Sequence, residues 1–412
     1  MGIPADSNAS YGGAEVAEFL EAIGNIREND PISWHRAWSD QAQKAEKIAQ
    51  DAQDHAHRNA ARMAFLRASN YTRASAYMMT GDEPRKSDTR VAPILKKAVE
   101  LFRKAIPLMD GPVHILQIPY QDEIRLPAYL YLPPPSCRVP GKIPLVVNPV
   151  GADSMQEEIY HMFPAAGPEL GYAVLTFEGP GQGLTLHEHN VPMRPDWEAV
   201  TEAVMNYLFR YAAERPGLEL DLDRVAIAGA SLGGYFALRG AADARFKACV
   251  AVDPIYDLWD FVTRHVSAIL GYWDQGWVPD AIINNVVWLG MRFSFQTKWE
   301  IRTSARFLGV STPTEILRAM KQFTLRQTEG CYLDQLECAT FVTGAANSLY
   351  LDVDNHAVKV FNGLKHQQKE LWVAESPGQG SLQAKMGAMG ICNQRVFEFL
   401  DNRFGVDRRK AS

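Results

Sequence analysis

Residues Gly229-Ala230-Ser231-Leu232-Gly233 have the pattern G-x-S-x-G. They close an apolar run, "RVAIAG", and open a stretch, 232–244, that reads as a helix. A serine at so sharp a strand-to-helix turn sits in strained backbone, and glycines two residues to either side relieve the crowding. The turn lifts the hydroxyl to the top of a sheet and puts the Leu232 amide at a helix N-terminus, where an oxyanion can be held. Ser231 is therefore expected to act as a nucleophile or as the hydroxyl of an oxyanion site. A second oxyanion donor is expected from "NPVGADSMQEE", the loop after the strand at 143–148, where the amides near Gly151, Ala152 and Asp153 are candidates. The same loop is compatible with Asp153 or Ser154 serving only as a helix N-cap.

The elements that must carry this turn are legible on both sides of it. "IPLVVNPV" (143–150), "YAVLTFE" (172–178) and "RVAIAG" (224–229) are apolar runs of the kind a strand buried on both faces needs. "KACVAVD" (247–253), "CATFVTG" (338–344) and "KELWVAE" (369–375) complete the set. Helical stretches at 155–169, 196–214 and 232–244 alternate with them, which implies an α/β class with a mainly parallel sheet covered on both faces. "HILQIPY" and "LPAYLYLP" alternate around "QDEIR" as a hairpin does. Residues 255–332 break the rhythm with a run of aromatics. An insertion there, over the C-terminal strand ends, makes a lid. Its Trp and Tyr side chains suit a flat hydrophobic ligand or simply an apolar interface. Residues 1–110 read as helical, with Trp38, Ala45, Ile48, Ala52 and Ala56 at helical spacing. "TGDEPRKSD" then breaks the pattern before a further amphipathic helix, "VAPILKKAVELFRKAI". The expected organisation is an N-terminal helical cap (1–110), a core (111–254 and 333–412) and an inserted lid (255–332).

"FEGPGQG" (177–183) after a strand and "RPDWEAV" (194–200) opening a helix resemble the FrsA-like branch of the α/β-hydrolases. That branch includes fungal heptaketide hydrolases of pigment synthesis and hydrolase-like proteins of polyketide clusters, some of them acyltransferases or cyclases. "AFLRASNYTRASAYM" resembles its N-terminal helical cap, so the similarity runs from about residue 20 to 405. The resemblance implies an α/β-hydrolase fold and a hydrophobic polyketide-like substrate in fungal secondary-metabolite biosynthesis.

A serine hydroxyl needs a base to remove its proton, and the base needs an orienting acid. In the α/β-hydrolase order the acid and then the histidine follow the serine. The acid's turn, after the strand at 338–344, is "GAAN", with Asn347 in the acid's place. The histidine's loop, "ESPGQGSLQAKMGAMG", contains no histidine; Gly380 or Ser381 stands there, and none follows His366. Asp352 and His356 in "LYLDVDNHAV" are four residues apart and share a face if helical, which makes them a candidate displaced acid and base. The same segment also reads as a capped helix start, with Asp354 or Asn355 as N-cap and His356 exposed. His187 and His189 fall on a loop near the site, and His265 falls in the lid, where substrate contact fits it better than proton relay. His114 and His161 read as packing or surface residues. Glu375 and Asp253, at strand ends, are weaker stand-in carboxylates. Glu178 belongs near the mouth of the site, to position loops or meet substrate, while Arg194 and Trp197 fix a helix against the sheet.

Bulk properties exclude several classes. The net charge of −6, with both signs interspersed, is the opposite of a nucleic-acid footprint. No apolar run approaches the roughly 18 residues a bilayer span needs, so no membrane contact is expected. The N-terminus lacks a signal pattern, and Asp6 stands where myristoylation wants Ser or Thr, so a cytoplasmic location is expected. Five unpatterned cysteines suggest neither zinc nor disulfides. "GPGQG" does not open a helix as a dinucleotide fingerprint does, so no cofactor is expected. A homodimer is a candidate assembly. The reading is cyclisation, acyl transfer or ester/C–C hydrolysis at Ser231. The absent histidine favours the first two: an oxyanion site alone accelerates roughly 10³–10⁴-fold in one dissected protease, and ring closure gains chiefly from orientation. The rival reading is a non-catalytic carrier or chaperone for a reactive intermediate.

Overall fold

The computed structural model describes residues 11–263, 267–327 and 330–408. Four helices come first: α1 (Val16–Gly24), α2 (Pro31–Asp54), α3 (Arg58–Ala76) and α4 (Val91–Ala105). Asp30 caps α2 by accepting from the amides of Ile32 and Ser33, and Pro31 starts the first turn. The segment that reads as one helical run to Met79 is in fact two helices. Ala56 adopts φ 57°, and the chain reverses there, with His55 ending α2 and His57 preceding α3. Alanines line the seam: Ala45, Ala49, Ala61, Ala64 and Ala68 are all buried, which lets the two backbones approach closely. Trp38 is buried with them, but Ile48, also at helical spacing, is 45% exposed.

The sheet holds eight strands: β1 (Val113–Pro119), β2 (Arg125–Tyr131), β3 (Ile143–Pro149), β4 (Ala173–Phe177), β5 (Leu220–Ala230), β6 (Ala248–Val252), β7 (Ala339–Ala345) and β8 (Lys369–Ala374). Their spatial order is β1-β2-β4-β3-β5-β6-β7-β8. β1 pairs antiparallel with β2 (Val113 opposite Tyr131), and β2 antiparallel with β4. All other pairs are parallel. This is the α/β-hydrolase fold. Every residue of β3, β4, β6 and β7 is buried, as continuous apolar runs require. Edge strand β1 alternates instead. The stretch at 155–169 is three short turns of helix rather than one helix.

Between β6 and β7 the described residues include five helices, Leu258–Thr263, Ser267–Asp274, Asp280–Phe293, Phe295–Leu308 and Pro313–Met320. No described helix is long and apolar enough to cross a membrane. His265 lies outside the described residues.

The C-terminal ends of β6, β7 and β8 are tied by one buried ion pair. Lys385 Nζ lies 2.7 Å from Asp253 Oδ1, with both side chains at most 2% exposed. Lys385 also donates to the Gly344 carbonyl (2.8 Å), and Thr343 donates to Asp253 (2.7 Å). Gln383 donates to the Asp253 carbonyl, so the loop after β8 is pinned across two strand ends. Removing one member of such a pair leaves a buried, uncompensated charge. Lys385→Met should therefore cost about 3–5 kcal/mol in urea unfolding, and a loss below about 1 kcal/mol would show that the pair is not sealed from water.

Candidate active site at the strand-to-helix turn

Ser231 adopts φ 55° and ψ −121°, between β5 and the helix Leu232–Gly240. Two neighbours force the bend. Ser231 N–H donates to the Val252 carbonyl (2.9 Å), at the end of the adjacent β6. A Cβ on Gly229 would lie 2.1 Å from the Gly233 carbonyl oxygen, so only glycine permits the return of the chain. Ser231 is partly exposed, whereas Leu232 is buried. The Leu232 amide opens the helix and has no carbonyl a turn behind it to bond. Behind the helix, Trp197 stacks on Phe236 at 3.8 Å and fixes it against the helix Glu198–Ala213. Gly179 makes room for that indole, since a Cβ there would lie 2.5 Å from it.

The loop after β3 runs alongside. A Cβ built on Gly233 would sit 3.6 Å from the Gly151 nitrogen, so the Gly151–Ala152 backbone borders the helix start. The residue that holds this loop is Gln182, the glutamine of "GPGQG". Its Nε2 donates to the carbonyls of Val150 (2.6 Å) and Gly151 (2.9 Å), and its Oε1 accepts from Gly179 N–H (2.7 Å). Turning those two carbonyls toward Gln182 sets the orientation of the amides that follow them. Glu178 ties the next turn down: it is 1% exposed and accepts from the amides of Gln156 (3.2 Å) and Leu184 (2.8 Å). Burial pushes its carboxyl well above the usual range, with the nearby Glu157 carboxyl adding to the shift. Asp153 accepts from the Tyr77 hydroxyl and Ser154 donates to Glu158, so neither caps a helix.

A cavity of about 130 Å³ opens between α3, this loop and the helix Phe295–Leu308. Tyr77, Ala152, His187, Trp299, Arg302 and Arg306 are among its walls. Ala152 brings the expected oxyanion loop to it; Ser231 and Leu232 are not in its lining. His187 lies on the helix Gly183–His189, not on a loop, with Nδ1 2.9 Å from the Ser87 hydroxyl.

The positions of the absent acid and histidine are filled by a neutral contact. Asn347 Nδ2 donates to the Ser381 hydroxyl (2.9 Å) and to the Glu375 carbonyl (3.1 Å). Asp352 and His356 line one hollow, which includes neither Ser231 nor any residue of the cavity above. Asp352 accepts from the Asn355 amide (3.0 Å). His356 is 3% exposed, on a π-turn at Asp354–Val358, and its Nδ1 accepts from Tyr256 N–H (3.1 Å). With Nδ1 accepting, the neutral ring carries its proton on Nε2. Asp260 and Lys359 share the hollow. Asp253 is committed to Lys385, Glu375 is exposed, and His114 bonds Tyr211. Sequence reasoning missed Gln182, Lys385, Tyr77 and the two arginines. Gln182 and Lys385 were both inside quoted motifs, but their types matched no catalytic pattern. Among the described residues no group of three metal-ligating side chains occurs.

The profile of the alpha/beta hydrolase family matches residues 149–341. The hydrolyase ccsE of Aspergillus clavatus is 54% identical, over 97% of this chain and 94% of that protein. With the sheet order and the serine turn, this places the chain in the alpha/beta hydrolase family. More narrowly, it is similar to further fungal proteins of nearly equal length. Hydrolase ORFZ of Pyricularia oryzae is 50% identical, over 97% of this chain and 95% of that protein. Hydrolyase poxO of Penicillium oxalicum is 48% identical, over 98% and 96%. Among solved structures, the 2,6-dihydroxy-pseudo-oxynicotine hydrolase shares the fold at TM-score 0.70 and 20% identity, covering 96% of this chain and 95% of that one.

Two outcomes follow from this geometry. Gln182→Leu should speed amide hydrogen exchange across Val150–Asp153 while exchange in β3 stays slow; unchanged exchange would show that Gln182 does not hold the loop. Burial pushes the imidazoles of His161 and His187 down to about 4, from an ordinary 6.5, and Arg306 adds to the shift for His187. Between those values the unfolded chain binds protons that the folded one refuses. Stability should therefore fall as pH drops from about 6.5 toward about 4, by at most ~1.4 kcal/mol per pH unit per histidine. Melting temperature against pH should fall less steeply over this window in His187→Gln, with the His161 share of the slope remaining.

Proposed function

We propose that this protein acts on a hydrophobic polyketide-derived intermediate of fungal secondary metabolism, by ring closure or acyl transfer in preference to hydrolysis, with Ser231 as the reacting hydroxyl. The observation that carries the reading is the combination at one end of the sheet. A serine turn stands at a helix N-terminus beside the loop after β3, while an Asn347–Ser381 hydrogen bond stands where an acid–histidine pair would activate water. A site of this kind can stabilise developing negative charge on a substrate oxygen and hold two parts of one molecule together. The loop after β8, where the fold places the histidine that would activate a water molecule, contains none. The aromatic and aliphatic walls of the cavity, Trp299, Phe307 and Met155 among them, suit an apolar substrate body. The resemblance of "GPGQG" and "RPDW" to the FrsA-like branch, and fungal relatives named hydrolyase and hydrolase, support the same class.

The neutral Asn347–Ser381 contact also favours the carrier reading, and one experiment separates the two. Purified protein is mixed with the products of a fungal polyketide synthase, and what they become is identified by mass spectrometry. The proposal expects a cyclised or transferred product from the wild type, and at least a hundredfold slower formation with Ser231→Ala, on the order of one lost transition-state contact or more. An unchanged product profile with Ser231→Ala would establish the carrier. Free acid as the main product would establish hydrolysis.

A further inference from the structure

Two cations face the cavity without a carboxylate partner. Trp299, Arg302, Thr303 and Arg306 recur at helical spacing on Phe295–Leu308 and line it together. Arg302 makes no side-chain hydrogen bond or ion pair among the described residues, and its Nε is buried and unpartnered. Among the described residues Arg306 meets only neutral acceptors: the Ser87 hydroxyl (3.2 Å) and the carbonyls of Arg85 (2.9 Å) and Leu186 (3.1 Å). The other cations of the walls are already paired, Arg73 with Glu158 at 2.9 Å and Lys86 with Glu83 at 2.8 Å. The one acid among the walls, Asp153, accepts from Tyr77. His187 is neutral near pH 7 and adds no charge. A partly buried guanidinium without a counter-charge is poorly solvated, and its fork of donors matches a pair of coplanar oxygens. Ala76, Met79, Val91, Leu95 and Phe307 make the rest of the wall apolar.

We propose that Arg302 and Arg306 form a subsite for a planar oxyanion, a carboxylate or the enolate of a 1,3-dicarbonyl, at one end of an apolar substrate. The assignment deepens the function proposed above and rests on that reading for the cavity being the substrate site. The subsite would fix which end of the substrate lies under the helix Phe295–Leu308 and which end reaches the Ala152 loop.

The test is calorimetric titration of the full chain with two matched pairs. Octanoate is compared with 1-octanol, and dimedone, ionised at mildly alkaline pH, with its neutral methyl enol ether. At least one anion should bind about tenfold or more tightly than its neutral partner, as hydrogen bonds to a charged group imply. Which pair shows the gap tells carboxylate from enolate. Arg302→Gln should remove most of the gap and leave the neutral compounds unchanged, and Arg302→Lys should keep part of it. Circular dichroism checks that each variant is folded. Anions that bind no better than their neutral partners, or a gap that survives both Arg302→Gln and Arg306→Gln, would overturn the subsite. Ser231→Ala should leave the gap intact, so a failure of the serine chemistry and a failure of this subsite are read separately.

Discussion

Ser231 is held at φ 55°, a backbone region that costs a residue bearing a side chain about 1–3 kcal/mol. Such a conformation persists only where its surroundings over-determine it. Here the Ser231 amide is bonded to the end of β6, and the glycine before the bend gives way to the carbonyl after it. The helix that follows is locked by a stacked tryptophan. The parallel sheet supplies the first of these constraints, because β5 and β6 end side by side. Every other feature of the site is placed relative to this bend. The loop after β3 borders it, Gln182 orients that loop, and the buried Glu178 anchors the turn from which Gln182 projects.

The loops after β7 and β8 have a different character from the one their positions suggest. Where a proton relay would need a mobile imidazole facing the serine, the chain has a lysine with no exposure and an asparagine bonded to a serine. Both contacts join strand ends to each other, and neither puts an imidazole against Ser231. The loops have kept their place in the fold while their side chains serve cohesion. That exchange fits chemistry in which orientation and charge stabilisation carry the rate, and it fits poorly with repeated activation of water.

The strands and the serine turn were legible because their signals are local. A run such as "IPLVVNP" can only be buried on both faces, and G-x-S-x-G after such a run leaves one geometry. The break at Ala56 was hidden because alanine favours helix everywhere and gives no sign of a left-handed turn. Asp352 and His356 looked like a pair from their spacing, yet each accepts from a backbone amide, of Asn355 and of Tyr256, and the second of these bonds spans 100 residues, beyond any spacing rule. Gln182, Lys385 and Arg306 meet residues about 30 to 220 positions away in the chain, so no spacing rule could reveal them.

The central claim is that the Ser231 hydroxyl and the neighbouring amides of Leu232 and Ala152 together receive a tetrahedral oxyanion. Boron NMR of the protein with an alkylboronic acid measures this most directly, since boron turns tetrahedral only when an oxygen adds to it. The account predicts a tetrahedral signal in the wild type that disappears in Ser231→Ala. A boronic acid that stays trigonal in the wild type, or a tetrahedral signal that persists without the Ser231 hydroxyl, would contradict it.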